Sequence, residues 1–347
     1  MNSLQSKTSK FYVCKCFYSK NIFLKCYRMH VVYKSKDQFI SAYGQALKEK
    51  GCDTDEKLQG VLQEIATEIH RRRSLGDQYL ERRQVISSTY KPRHPQVFQL
   101  KEEFFASEFL DLVRYCKTDG ATLDGVLAMV EKPPGDRLYS FPVFTLDFCS
   151  SLTDELEHFE ASDCPRGRPN TMNNYGILLN ELGFDEDFLN PLRVNYLTPI
   201  CAILFPDWGG SSLDSHKAFV VMYKPGEDVD LSYHYDNSEV TLNVALSSNY
   251  AGGSLYFGNM RTESSRPSYT EYSHRATVGV VHRGQHRHGA NAIQSGERYN
   301  LIIWMRSSRV RNQLCPMCDS PPELVETVGF GDGFTNGDHV VDVCITL

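Results

Sequence analysis

From Lys217 to Arg306 the chain reads as one short strand after another, broken by glycine-rich turns. Alternation of apolar and polar residues predicts strands over 217–223, 229–236, 239–247, 254–258, 277–282, 290–293 and 298–306. So many short strands must bury their apolar faces against a second layer, which points to a sandwich or barrel of the jelly-roll kind. Along 239–247 the alternation is clean. Glu239, Thr241, Asn243, Ala245 and Ser247 present a polar or small face, and Val240, Leu242, Val244 and Leu246 an aliphatic one. The polar face suits the lining of a hydrated, charged pocket.

Within this region His234-Tyr235-Asp236 carries the first chemistry. Residues i and i+2 of a strand point the same way, so His234 and Asp236 project side by side, within reach of one cation. A second source of ligands follows at His282, His286 and His288, which share strand parity, and parity alone does not choose among them. Two histidines and a carboxylate on one face of an octahedral ion leave three positions open, the arrangement of non-haem iron oxygenases. Arg298, just after the turn at Ser295-Gly296, supplies a planar, two-pronged donor suited to a distant carboxylate. A His-x-Asp tripeptide by itself is weak in a chain with 11 histidines.

Before this region the texture is helical. Asp53-Thr54 is a predicted cap, and Leu58, Val61, Leu62, Ile65 and Ile69 recur on one helical face that His70-Arg71-Arg72-Arg73 closes as a solvated end. A second amphipathic segment contains Phe104, Phe105, Phe109, Leu110 and Val113, and Pro133-Pro134-Gly135 marks a boundary. Phe148, Leu152, Leu156 and Phe159 form another stripe, 167–175 is a polar loop at a mouth, and Asn190-Pro191 opens a helix that stops at Pro206. Three divisions follow: 1–135 a basic strand and mostly helical region, 136–309 the strand-rich domain, and 310–347 an irregular tail with Cys, Gly and Pro. The overall class expected is α+β.

Net charge of −6 argues against nucleic acid as the main partner. Residues 1–36 nevertheless contain seven Lys, one Arg and no acid, which predicts an exposed basic hairpin of strands near 11–13 and 29–33. No apolar run is long enough to span a bilayer, and the polar start of the chain lacks the pattern of a secretory signal. With eleven cysteines, an odd count, this predicts an intracellular, reducing compartment, cytoplasm or nucleus. Cys315-Pro316-Met317-Cys318 is half of a zinc site. Cys14 or Cys16 completes it if the two ends meet in space, and buried free thiols are the alternative.

Taken together, Tyr223-Lys224-Pro225-Gly226, His234-Tyr235-Asp236-Asn237-Ser238, the segment 251–257 (Ala-Gly-Gly-Ser-Leu-Tyr-Phe), His288-Gly289 and Gly296-Glu297-Arg298-Tyr299 resemble the Fe(II)- and 2-oxoglutarate-dependent dioxygenases of the prolyl and lysyl hydroxylase type. The resemblance covers roughly residues 140–306 and implies a double-stranded β-helix, a distorted jelly roll, flanked by helices. It makes His234, Asp236 and His288 the iron ligands, since His288 has the family's following glycine and its offset to the arginine. It makes Arg298 the partner of the distal carboxylate of 2-oxoglutarate. The family's frequent tyrosine on the neighbouring strand is absent, because the inward positions are Thr241, Asn243 and Ala245; Tyr223 is the substitute hydroxyl, or a plain core residue. Implied cofactors and partners are Fe(II), 2-oxoglutarate and molecular oxygen, with L-ascorbate as reductant. The implied reaction hydroxylates a C–H bond, a prolyl or lysyl side chain of a protein being the class, with release of succinate and CO2. The charges balance: Fe(II) with one aspartate and two neutral histidines is +1, 2-oxoglutarate brings −2, and Arg298 completes neutrality. Two rival readings are a silent binding module that keeps the fold and a zinc hydrolase.

Overall fold

Alternation in the second half of the chain resolves into two antiparallel sheets. The computed structural model describes residues 10–263 and 269–337. Ten strands matter for the site: β1 (Tyr139–Pro142), β2 (Gly176–Leu178), β3 (Ser215–Tyr223), β4 (Leu231–His234), β5 (Val240–Ala245), β6 (Leu255–Met260), β7 (Thr270–Tyr272), β8 (Val278–Arg283), β9 (His286–Ala290) and β10 (Arg298–Arg306). The larger sheet has the order β1-β8-β5-β10-β3-β2 and the smaller β7-β6-β9-β4. From β3 to β10 the chain passes repeatedly from one sheet to the other. The result is an α+β protein with antiparallel sheets.

Side-chain parity explains the layering. In β3, β5 and β10 one set of alternate residues (Val220, Leu242, Leu301 and their i±2 neighbours) enters the largest apolar core. That core also takes Ile86, Phe109, Phe148, Phe188 and Ile200 from the helical segments between residues 86 and 204. The other set, including Tyr223, Thr241, Asn243, Arg298, Asn300, Ile302 and Trp304, turns towards the smaller sheet and lines a cavity of about 300 Å³. Burial on both faces is why these three strands are nearly continuous in buried residues.

Several predicted elements shift. The predicted strand 290–293 is divided, because the chain leaves the smaller sheet after Ala290 and Ile293–Gly296 pairs with Tyr250–Gly252 instead. Asn190-Pro191 does not open its helix but lies inside it, because π-helical turns at Asp185–Leu189 precede it and those at Leu192–Leu197 run on into Thr198–Leu204. Thr54 caps the long helix as predicted, accepting from the Lys57 amide at 3.3 Å, but the helix continues from Asp55 to Thr89. Arg72 is not part of a solvated end. It is buried, bonds Glu68, and donates to the carbonyls of Phe17, Lys20 and Asn21 at 2.6–2.8 Å.

The basic arm is likewise no exposed hairpin. Phe11–Cys14 pairs with Leu324–Thr327 and is buried along its whole length, while Ile22–Leu24 pairs with Met29–Val31. The tail reaches it by lying on the long helix, where a Cβ on Gly76 would stand 2.1 Å from the Val328 carbonyl oxygen. Among the described residues no helix is long and apolar enough to cross a membrane.

One buried ion pair anchors the tail to the larger sheet. Arg311 donates from Nε and Nη2 to both carboxylate oxygens of Glu239 at 2.8–3.1 Å, and from Nη1 to the Asp332 carbonyl. Glu239 also accepts the Ser307 amide at 2.7 Å. Stranding one member of such a pair costs about 3–5 kcal/mol, whereas replacing both with apolar groups does not. Arg311→Met is therefore expected to lower stability by about that amount in urea unfolding, and Glu239→Leu/Arg311→Met to recover part of it.

Candidate active site

The end of β4 and the middle of β9 are neighbours, with His234 opposite His288 in the ladder. Asp236 lies two residues beyond His234, and its amide donates to the Gly284 carbonyl at 2.8 Å. Ligand atoms of His234, Asp236 and His288 all fall within 4.8 Å of one another. His234 Nε2 is 3.6 Å from Asp236 Oδ1, and His288 Nε2 is 3.7 Å from Oδ2.

Each imidazole is oriented by its other nitrogen. His234 Nδ1 donates to the Ser232 carbonyl at 2.8 Å and His288 Nδ1 to the His286 carbonyl at 2.9 Å, which leaves both Nε2 lone pairs directed at the cluster. Burial pushes the His288 pKa well below its ordinary value, against the pull of Asp236, so the ring is a neutral donor ligand. Thr241 Oγ donates to Asp236 Oδ2 at 2.7 Å and is itself 2.7 Å from Ser238 Oγ. These orientations suit a divalent cation with three protein ligands on one side.

Arg298 opens β10, opposite Tyr223 at the end of β3. It is buried, donates from Nη1 to the Gly253 carbonyl at 2.7 Å and from Nε to Asn300 Oδ1 at 2.8 Å. Its guanidinium carbon lies 5.4 Å from the Tyr223 ring centroid and 5.8 Å from that of Tyr250. Tyr223 is buried, and its hydroxyl accepts from Asn173 Nδ2 at 3.4 Å. All five residues singled out from sequence thus line one cavity. Asn173 belongs to the polar segment expected at a mouth, and Ile302 and Trp304 close the wall. His282 and His286, the other two candidates of His288's parity, stay outside the cluster. Both are buried, with the His282 ring 4.7 Å from that of His288 and His286 Nε2 bonded to the Gly258 carbonyl at 2.8 Å.

Three contributors carried no signal that sequence reading used. Asn300 shares Arg298's parity and bridges it to Asn243, donating to Asn243 Oδ1 at 2.6 Å. Asn300 Nδ2 also lies 3.1 Å from His274 Nδ1, and His274 Nε2 donates to the Val278 carbonyl at 2.8 Å. The third is the Gly253 carbonyl, visible beforehand only as a glycine pair. Burial, helped by the Arg298 charge, pushes His274 from 6.5 down to about 3. Between those values the unfolded chain binds the proton and the folded chain does not, so His274 costs stability as pH falls from about 6.5 towards 3. Melting temperature followed over that range is expected to fall, and His274→Gln to flatten the decline.

The comparisons with known proteins bear on this arrangement. The OGFOD2-like domain matches residues 86–210. The chain is 51% identical over 342 residues to the 2-oxoglutarate and iron-dependent oxygenase domain-containing protein 2 of Danio rerio, covering 97% of this chain and 99% of the relative. The Homo sapiens protein of that name is 46% identical over 335 residues, 95% of this chain and 96% of the relative. The procollagen-lysine,2-oxoglutarate 5-dioxygenase 1 of Gallus gallus is 31% identical over 199 residues, 53% of this chain and 25% of that enzyme. Near-complete alignment at such identity shows that the chain belongs to the family of 2-oxoglutarate and iron-dependent oxygenase domain-containing protein 2.

Proposed function

We propose that the cavity is the active site of an Fe(II)- and 2-oxoglutarate-dependent dioxygenase that hydroxylates a C–H bond, a prolyl or lysyl side chain of a protein being the substrate class. The observation that carries this reading is the convergence of His234, Asp236 and His288 on one point of a cavity whose wall also holds Arg298. In it, the three side chains are the iron ligands, and Arg298 pairs with the distal carboxylate of 2-oxoglutarate. Tyr223, next to that guanidinium, contributes a polar hydroxyl to the same end. The strand orders, in which β3-β10-β5-β8 face β4-β9-β6-β7, support a double-stranded β-helix. The partial likeness to an enzyme named for procollagen lysine supports a side-chain substrate.

Ferrous iron, when bound, supplies the open coordination positions at which 2-oxoglutarate and oxygen react to give succinate, CO2 and one oxygen atom for the substrate C–H bond. The protein's own residues do the rest. Two neutral imidazoles and one carboxylate set the charge of the site. Thr241 holds the carboxylate's second oxygen, and Asn300 with Gly253 hold the guanidinium. The aliphatic and aromatic wall of Phe219, Val221, Leu231, Leu255 and Ile302 excludes water. L-ascorbate is the reductant expected to restore ferrous iron after uncoupled turnover. The free state of the ten described cysteines supports an intracellular, reducing compartment.

The reading is tested with purified protein, Fe(II), ascorbate and 2-oxoglutarate labelled at C1. Labelled CO2 release that requires both iron and oxygen is the expected result. Its absence under every combination, with the metal bound, would leave a silent binding module; turnover of an ester or amide with zinc and without oxygen would make the site a hydrolase.

A further inference from the structure

A second group of ligand-type side chains lies apart from the His-Asp-His cluster. Cys14 ends the buried strand Phe11–Cys14, and Cys16 begins the helical turn Cys16–Ser19. Cys315 and Cys318 flank Pro316-Met317 just after the short helix Ser308–Arg311. These four sulfurs, from opposite ends of the chain, all lie within 4.8 Å of one another. Cys16 Sγ is 3.7 Å from Cys315 Sγ, and Cys14 Sγ is 3.9 Å from Cys318 Sγ.

We propose that Cys14, Cys16, Cys315 and Cys318 bind one zinc ion in a closed, structural four-thiolate site. A tetrahedral ion with Zn–S bonds of about 2.3 Å has sulfur–sulfur edges of about 3.8 Å, which both measured separations match. A disulfide needs about 2 Å, so the sulfurs are placed as ligands and not as bonded pairs. Thiols packed merely as small apolar groups have no reason to converge on a common centre. Four sulfur ligands at this spacing leave room for one ion and favour zinc over harder cations.

Backbone bonds hold both halves before any ion arrives. The Cys315 amide donates to the Ser320 carbonyl and the Asp319 amide to the Cys315 carbonyl, each at 2.9 Å, folding the Cys-x-x-Cys into a tight loop. The Lys15 amide donates to the Glu323 carbonyl at 2.7 Å, and Cys14 pairs with Leu324, which brings the other half alongside. Tyr12, Phe334 and Leu324 enclose the cluster. Binding would displace the thiol protons and involves no electron transfer.

The site also braces the cavity wall. Between the two downstream ligands, the Met317 carbonyl accepts from the Tyr235 hydroxyl at 3.4 Å and from Arg261 Nη2 at 3.1 Å. Arg261 also donates to the Pro316 carbonyl, and its guanidinium carbon lies 4.4 Å from the centroid of the Tyr235 ring. Tyr235 is the residue between His234 and Asp236, so the zinc loop holds the segment that presents them. The inference itself does not depend on the iron reading, because it uses none of those ligands.

Metal analysis of the whole chain carrying Asp236→Ala, purified under reducing conditions, is the test. About one zinc per chain is expected there, unchanged with Cys26→Ser, whose thiol is exposed. It should be lost on adding Cys315→Ser and Cys318→Ser. Should that variant misfold, cobalt exchanged into the otherwise unaltered Asp236→Ala chain reports instead, and intense visible and thiolate-to-cobalt absorption is expected. Four freely alkylated thiols with neither zinc nor cobalt uptake would overturn the proposal, as would disulfides among these cysteines or iron in place of zinc.

Discussion

Asp236→Ala is expected to leave the chain unable to retain ferrous iron and to cut iron-dependent CO2 release from 2-oxoglutarate at least about 100-fold. Loss of a group that only orients a metal ligand costs about 10–100-fold in affinity or activity, and Asp236 would be a ligand itself. It is also the sole negative charge among the three, so its removal leaves two neutral rings to hold a dication. Folding is not expected to suffer, since the change removes a buried carboxylate whose main partners are the two rings and the Thr241 hydroxyl. Asp236→Asn keeps the shape and an acceptor for Thr241 but loses the charge, and should behave almost as badly. Equilibrium iron binding, followed beside circular dichroism, checks both. Normal iron retention by Asp236→Ala would remove this carboxylate from the proposed ligand set.

Arg298→Gln is expected to raise the KM for 2-oxoglutarate by about 100- to 4,000-fold while iron binding is retained. Leaving a buried charge without its partner costs about 3–5 kcal/mol, and each 1.4 kcal/mol is about tenfold in affinity. The two variants therefore separate: one fails at the metal, the other at the co-substrate. Arg298→Lys keeps the charge but not the fork, and the carbonyl of Gly253 and the amide oxygen of Asn300 then compete for one ammonium group. An intermediate KM is expected from it. Unaltered KM in Arg298→Gln would place the distal carboxylate elsewhere in the cavity.

Much of this arrangement could be read from residue order. Strand parity put His234 beside Asp236 and Thr241 and Asn243 on the face that lines the cavity, because those relations are local and repeat every two residues. The last strand, Arg298–Arg306, has the predicted limits for the same reason. What escaped was set by distant partners. Arg72 looked like a solvated cation until Phe17, Lys20 and Asn21 supplied three carbonyls to it. Asn300 and His274 are ordinary residues in sequence, and only their meeting with Arg298 and Asn243 gives them a role in positioning the guanidinium. Phe11–Cys14 had the composition of a strand, but nothing local named Leu324–Thr327 as its partner.

That last pairing has a consequence for biosynthesis. Cys14 and Leu324 stand 310 residues apart in the chain (324 − 14), yet they face each other in one ladder. At ribosomal speeds of about 5–20 residues per second, the first-made strand waits tens of seconds with its hydrogen-bonding edge bare. The seam closes only once Leu324–Thr327 has left the ribosome, which makes the growing chain a natural client for chaperones that shield exposed edges.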